Sequence, residues 1–243
     1  MQMESQGVLN PDAHMFVQEE FYQAEPDVMA SVMKQLSLKS GLRALGDKAY
    51  TAVQSEMKQL HFQNTFKPKH WRELTHTQQQ TVLDFHIILK EKQYVEIKVR
   101  AVSGGNKQHG YISKEDTIST TVAIYAVLLS CIIDAEEERD VAVIDIPNAF
   151  IHTRVEDEKY MVFIKIFGVL VDILVEISLD VYKSHVTTNK NGVKYLLVKC
   201  QNALYGTMLA SLIYYRNFTN IFTDVGFTIN PYYPCVANKM IDG

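Results

Sequence analysis

Apolar residues along the chain fall into distinct patterns, and each pattern predicts a different element. From Asp47 to Leu60, Tyr50, Val53, Met57 and Leu60 recur at three- and four-residue spacing, the period of one helix face. Asp47 is placed to cap this helix by accepting from an N–H of the first turn. Gly41 and Gly46 punctuate the chain before it. From Phe85 to Val102 the pattern changes to two runs, FHIILKEK and VEIKVRAV, around a polar turn at Gln93–Tyr94. Val95, Ile97 and Val99 alternate with Glu96, Lys98 and Arg100, which predicts a β-hairpin with a half-buried strand and a basic outer side. SGGNKQHG follows as a loop, with Gly104 and Gly105 free to take positive φ.

Glu115–Ala135 predicts a helix with a broad apolar face, closing on the acidic run Asp134–Glu138. Val141, Val143 and Ile144 predict a short apolar strand ending at Asp145, because Pro147 cannot continue a ladder. Lys159–Ile166 and Lys194–Cys200 read as strands, with NKNG at 189–192 as a turn. Residues 209–223 read as a helix, and Phe227–Cys235 as a short strand running into a proline-bounded turn. Residues 1–38 carry six acids and one lysine and read as an extension, partly helical from Glu25 to Leu36. Helices and strands mix without regular βαβ alternation, which makes the expected class α+β.

Composition narrows the picture. The 243 residues are 47% hydrophobic, enough for one large or two small domains and too apolar for bulk disorder. The most apolar stretch, Val162–Val181, is broken by Lys165, Asp172, Glu176 and Asp180, and Val122–Ile133 is too short to span a bilayer. The start MQMESQGVLNPD has no basic and apolar leader, so the expected location is intracellular, with cytoplasm and nucleus both open. Cys131, Cys200 and Cys235 form no CxxC pair and read as reduced core thiols rather than a disulfide or zinc framework.

Charge is uneven. Net charge is −4, yet residues 39–107 hold 12 Lys/Arg against 6 Asp/Glu. Such a block can form a footprint for phosphates, or a solvated surface with no ligand. Asp145, at the end of an apolar strand, can be a hard-oxygen ligand for magnesium or a plain turn residue. No HExxH, GxSxG, P-loop or GxGxxG is present, which argues against those hydrolase and nucleotide sites.

Four segments then add a resemblance. VIDIPNAFIHTRVEDEKYM resembles the first palm motif of copia-type retrotransposon reverse transcriptases through Asp145, Asn148, Ala149, Phe150, His152, Tyr160 and Met161. CQNALYGTMLASLIYY resembles the family's KALYGLKQAPRAWY block through Ala203, Leu204, Tyr205, Gly206, Ala210 and Tyr215. VGFTINPYYPCVA resembles its GFxxSxxDPCLF block through Gly226, Phe227, Pro234 and Cys235. Upstream, IKVRAVSGGNKQHGY matches a fingers segment at Lys98, Arg100, Val102, Gly105, Gln108 and Gly110. The blocks stand in the family's order over about residues 45–240.

The resemblance implies a partial right-hand fold, fingers plus incomplete palm, with an extension at 1–40, fingers at 41–135 and partial palm at 136–243. It implies an RNA or DNA template-primer and a dNTP as partners, and Mg2+ as the metal of a two-ion phosphoryl transfer. Asp145 would be the first catalytic, metal-binding carboxylate, with the Ile146 carbonyl beside it. Phe150 would lie under the sugar, and Lys98 and Arg100 would reach the triphosphate, Arg by a bidentate grip. Departures are equally plain. No Tyr-x-Asp-Asp hairpin is present, Asp242 stands alone, and Met208, Leu209, Ser211 and Tyr233 replace the family's Lys, Gln, Pro and Asp. The expectation is a reverse transcriptase fragment, truncated before that hairpin and inactive alone, whose open palm edge promotes self-association. The alternative is a non-catalytic remnant with weak nucleic-acid binding or no function.

Overall fold

A computed structural model describes residues 35–91, 97–113 and 117–241. The expected turn at Gln93–Tyr94, the strand start at Val95 and Glu96, the first residues of the helix expected from Glu115, most of the 1–40 extension and Asp242 lie outside the described residues.

Strand β1 (Gln35–Ser37) leads into helix α1 (Leu38–Phe62), whose first turn is capped by Ser37, its Oγ accepting from the Ser40 N–H at 3.3 Å. The helix therefore starts nine residues before Asp47, and Ser37, not Asp47, caps it. Gly46, at φ 53° and ψ −132°, still breaks the helical path where the sequence placed a boundary. Beyond the kink, Ala49, Val53, Met57 and Leu60 are fully buried, the three- and four-residue spacing laying them on one face. Gln35 and Leu36 form a strand and not the end of a helix. Pairing Leu36 with Leu89 on the edge of β3 (Leu83–Glu91) supplies backbone partners that a helix end there would lack.

β3 and β4 (Ile97–Ser103) form the expected hairpin, in register from Phe85 opposite Ser103 to Glu91 opposite Ile97. Phe85, Ile87 and Leu89 point into the core, while Lys98 and Arg100 stand exposed. β2 (Phe66–Lys69), β5 (Phe163–Phe167), β6 (Thr187–Thr188) and β7 (Lys194–Cys200) complete a seven-stranded sheet with the path β1-β3-β5-β7-β2. β3 and β5 run parallel and the other pairs antiparallel. Strands from 41–135 and from 136–243 thus share one sheet. β2 lies on its edge, and Pro68, unable to donate, blunts it.

Helix α1 and helix α4 (Val169–Ile177) cover one face of this sheet. Leu170, Val171, Ile173 and Leu174 meet Ile164, Ile166, Leu196 and Val198 in one continuous core, each such side chain stabilising by about 1.5–3 kcal/mol. Tyr182, in the short helix α5 (Leu179–Tyr182), is fully buried beneath α1 with its hydroxyl 2.9 Å from His61 Nδ1; burial raises its pKa to about 12. On the other face, Leu74 and Val82, flanking the short helix α2 (His76–Gln80), pack on Phe163 and Leu197. The turn at 189–192 forms as expected, Asn189 Oδ1 accepting from the N–H groups of Asn191 and Val193 at 2.9 Å.

Further expectations differ. The helix expected from Glu115 is helical only over Ile124–Glu136 (α3); the β-branched run Thr117, Ile118, Thr120, Thr121 and Val122 before it loses rotamer freedom in a helix. Its apolar face is uncovered, with Ile124 78% exposed and no residue of the helix buried. Val141, Val143 and Ile144 form no strand; Val143 is 96% exposed, and none of the described strands pairs with them. An apolar run becomes a strand only where an edge offers hydrogen bonds. The strand expected from Lys159 starts at Phe163, because Asp157 caps a single 3-10 turn at Glu158–Tyr160. Cys200 is buried, its thiol pushed up to about 12 by burial, but Cys131 is exposed on α3 and is no core thiol. Helix α6 (Ala210–Asp224) and the ribbon β8 (Thr228–Ile229) with β9 (Ala237–Asn238) close the chain's described part.

Glu56 ties α1 to the hairpin by accepting from the Ala101 N–H at 3.2 Å. Desolvation raises its carboxyl above the ordinary 4.5, against a smaller lowering by that hydrogen bond. The folded chain then holds this proton more tightly than the unfolded chain, so stability falls as pH rises from 4.5 through the raised value. Glu56→Gln is therefore expected to raise the Tm at pH 7 and leave it unchanged near pH 4. Equal shifts at both pH values would contradict this account.

Candidate functional site

Residues 200–206 cross the molecule after β7 and tie three distant segments together. Gln201 N–H donates to Thr65 O and its side chain to Asn64 O, both at 2.8 Å. Asn202 Nδ2 donates to Ile151 O at 2.6 Å and to Gln63 O at 3.1 Å, so this nearly buried amide bridges two loops. Ala203 N–H donates to Thr153 O, and Val155 N–H to Gln201 O. The loop at 148–153 is thereby fixed. Asn148 takes φ 55°, a left-handed position that Asn tolerates, and its carbonyl accepts from the Ile151 N–H.

The closest approach comes next. Ser103 N–H donates to Tyr205 O at 2.7 Å. A Cβ on Gly206, which has φ +85°, would lie 2.2 Å from Ser103 O, and one on Gly105 would lie 2.0 Å from Gly206 O. Both glycines are required by backbone contact. Neither Gly104 nor Gly105 uses the positive φ open to it. Gln108, 1% exposed within a 3-10 turn, accepts on Oε1 from the Met208 N–H at 2.8 Å and completes the junction.

Phe150 leans on this junction, its ring centroid 4.6 Å from that of Tyr205 and 5.7 Å from that of Tyr214. Aromatic contacts continue along α6 through Phe218 and Phe222 to Phe227. Tyr215 donates to Pro234 O at 3.1 Å. Arg216 donates to the Tyr160 hydroxyl at 2.9 Å; Lys159 first and Arg216 second hold that phenol below its ordinary pKa by hydrogen bonding. Lys159 also pairs with Asp157 at 3.1 Å.

The residues singled out from the sequence occupy three settings. Phe150 is half-buried at the junction. Lys98 and Arg100 share the outer hairpin face with Lys90, which lies opposite Lys98, and no ion pair joins these three to a carboxylate among the described residues. Asp145 and Ile146 lie on the exposed, unpaired segment, not at the end of a buried strand. No group of three or more His, Cys, Asp or Glu side chains suited to a metal occurs among the described residues. One exposed carboxylate does not fit a two-magnesium centre, which needs several hard oxygen ligands. Asn202, Gln108 and Tyr205 were not singled out as site residues; their positions inside motif blocks were the only signal available.

No family model, curated protein or solved structure matches the chain. No helix among the described residues is long and apolar enough to cross a membrane.

Gly206→Ala combines a left-handed φ with a backbone clash and is expected to cost about 3 kcal/mol or more. Gly192→Ala, at φ +77° but in open space, should cost only about 1 kcal/mol. Urea unfolding of the two variants checks the contrast; similar losses would show that the junction is not tightly held.

Proposed function

We propose that the chain is the fingers and first palm portion of a copia-type reverse transcriptase and that it binds nucleic acid through its basic hairpin. The observation that supports this reading is the convergence of the four motif segments. Residues 97–111, 148–161, 200–215 and 225–237 adjoin through the Ser103–Tyr205, Thr153–Ala203 and Tyr215–Pro234 hydrogen bonds. Distant blocks held against one another in this way suit the substrate positioning that a polymerase of this family performs.

In this reading Lys98 and Arg100 face the phosphates of a template-primer or dNTP, and Phe150 lies under the nucleotide sugar. Asp145 would supply one carboxylate toward Mg2+, which by itself does not hold a two-ion centre. The remaining carboxylates have no counterpart in the sequence, so the chain by itself binds and does not polymerise. It acts inside the cell and self-associates through the open palm edge, in whose range the exposed Val141–Ile146 lies. A second reading, a non-catalytic remnant, is favoured by one observation: the segment carrying Asp145 stands outside the sheet.

Binding of a labelled primer-template, followed by anisotropy across a salt series, separates specific use of the hairpin from incidental charge. Lys98→Ala with Arg100→Ala is expected to make the log–log salt slope shallower by about 1.5, since each phosphate contact contributes about 0.7–0.9. An unchanged slope would remove the hairpin from the interface. Asp145→Ala, at an exposed position, is expected to alter stability by no more than about 0.5 kcal/mol while abolishing any magnesium-dependent gain in binding. A magnesium response that survives the substitution would leave Asp145 without its proposed role.

A further inference from the structure

The outer face of the hairpin has a second property, set by where the chain arrives on it. β1 places Gln35 opposite Lys90, and Lys90 lies opposite Lys98. Gln35, Ile88, Lys90, Lys98 and Arg100 line one concavity of about 220 Å³. Its three cations have no ion-paired carboxylate among the described residues, an arrangement that raises local self-repulsion. The 34 residues immediately before Gln35 carry Glu4, Asp12, Glu19, Glu20, Glu25 and Asp27 against the single Lys34.

Chain length permits contact between the two. Asp27 precedes Gln35 by eight residues, a stretch that reaches at most about 29 Å when extended, and the concavity begins at Gln35 itself. Tethering at this short range gives an effective concentration on the order of millimolar. An acidic segment held at that concentration competes with any polyanion of moderate affinity.

We propose that residues 1–34 dock by charge on the Lys90–Lys98–Arg100 face and compete there with nucleic acid, making the hairpin self-inhibited. Its competitive part rests on the nucleic-acid reading above; the docking does not. Salt weakens the contact, and a phosphate backbone displaces it when its own contacts outnumber those of the segment.

Two measurements on the full chain test this separately. Zero-length carbodiimide coupling at low salt, mapped by peptide mass spectrometry, is expected to join Glu19, Glu20, Glu25 or Asp27 to Lys90 or Lys98. Yields should exceed those to the exposed Lys58 and Lys183 several-fold and fall in high salt. Yields no higher than to those two lysines would overturn the docking.

The second measurement replaces the six acids by Gln or Asn and follows binding of a fluorescent single-stranded oligonucleotide, with circular dichroism checking the fold. Affinity is expected to rise several-fold at low salt, and not when Lys98→Ala and Arg100→Ala are also present. An equal rise on both backgrounds would mean a general field effect and would overturn the competition. Cross-links without oligonucleotide binding by any variant would uphold the docking and remove the nucleic-acid reading.

Discussion

Backbone-to-backbone contact between Ser103–Gly105 and Tyr205–Gly206 is the constraint on which the arrangement of this molecule depends. No side chain fits between these strands of chain, and any Cβ on Gly105 or Gly206 would sit far inside van der Waals contact distance of a carbonyl oxygen. This contact fixes the end of the hairpin against the start of the segment leading to α6. Phe150 then has a ring to lean on, and Gln108 has a backbone N–H to accept from. Because the same segment also holds residues 63–65 and 151–155, a shift there would be transmitted to all three loops through hydrogen bonds that are partly buried.

Stability and exposure are unevenly divided. α1, α4 and α5 enclose the core-facing side of the sheet, where apolar side chains interlock and the buried polar groups Tyr182 and Cys200 stay protonated. From Ile118 to Ile146 the chain instead presents Ile124, Leu128, Ile132, Val143 and Ile144 to solvent. A helix as apolar as α3 gains little from standing alone, since helical stability in proteins comes mostly from packing a face. This region leaves its apolar side chains to solvent, and it also carries Asp145.

How much of this was legible depends on what each signal measures. The helix face at Val53, Met57 and Leu60, the β3–β4 hairpin, β7 and α6 follow from periodicity, which reports local geometry and the side that must be buried. Periodicity failed at Val141–Ile144, where alternation and apolar content were right but none of the described strands pairs with the segment. It failed likewise at Gln35 and Leu36, where an edge was available and displaced a weak helical pattern. The motif blocks were legible as blocks, but the roles of Asn202 and Gln108 as buried connectors were not, because a polar side chain carries no periodic signature.

Sequence by itself determined the α+β class, the basic outer face with Lys98 and Arg100, and the acidic segment before Gln35, since spacing and charge are local properties of the chain. Only the tertiary structure decided that the four motif segments meet, that Gly105 and Gly206 are glycines because backbones cross there, and that Asp145 stands apart from other metal-ligating side chains among the described residues. Those facts depend on distances between residues far apart in the chain, and one-dimensional patterns do not encode such distances.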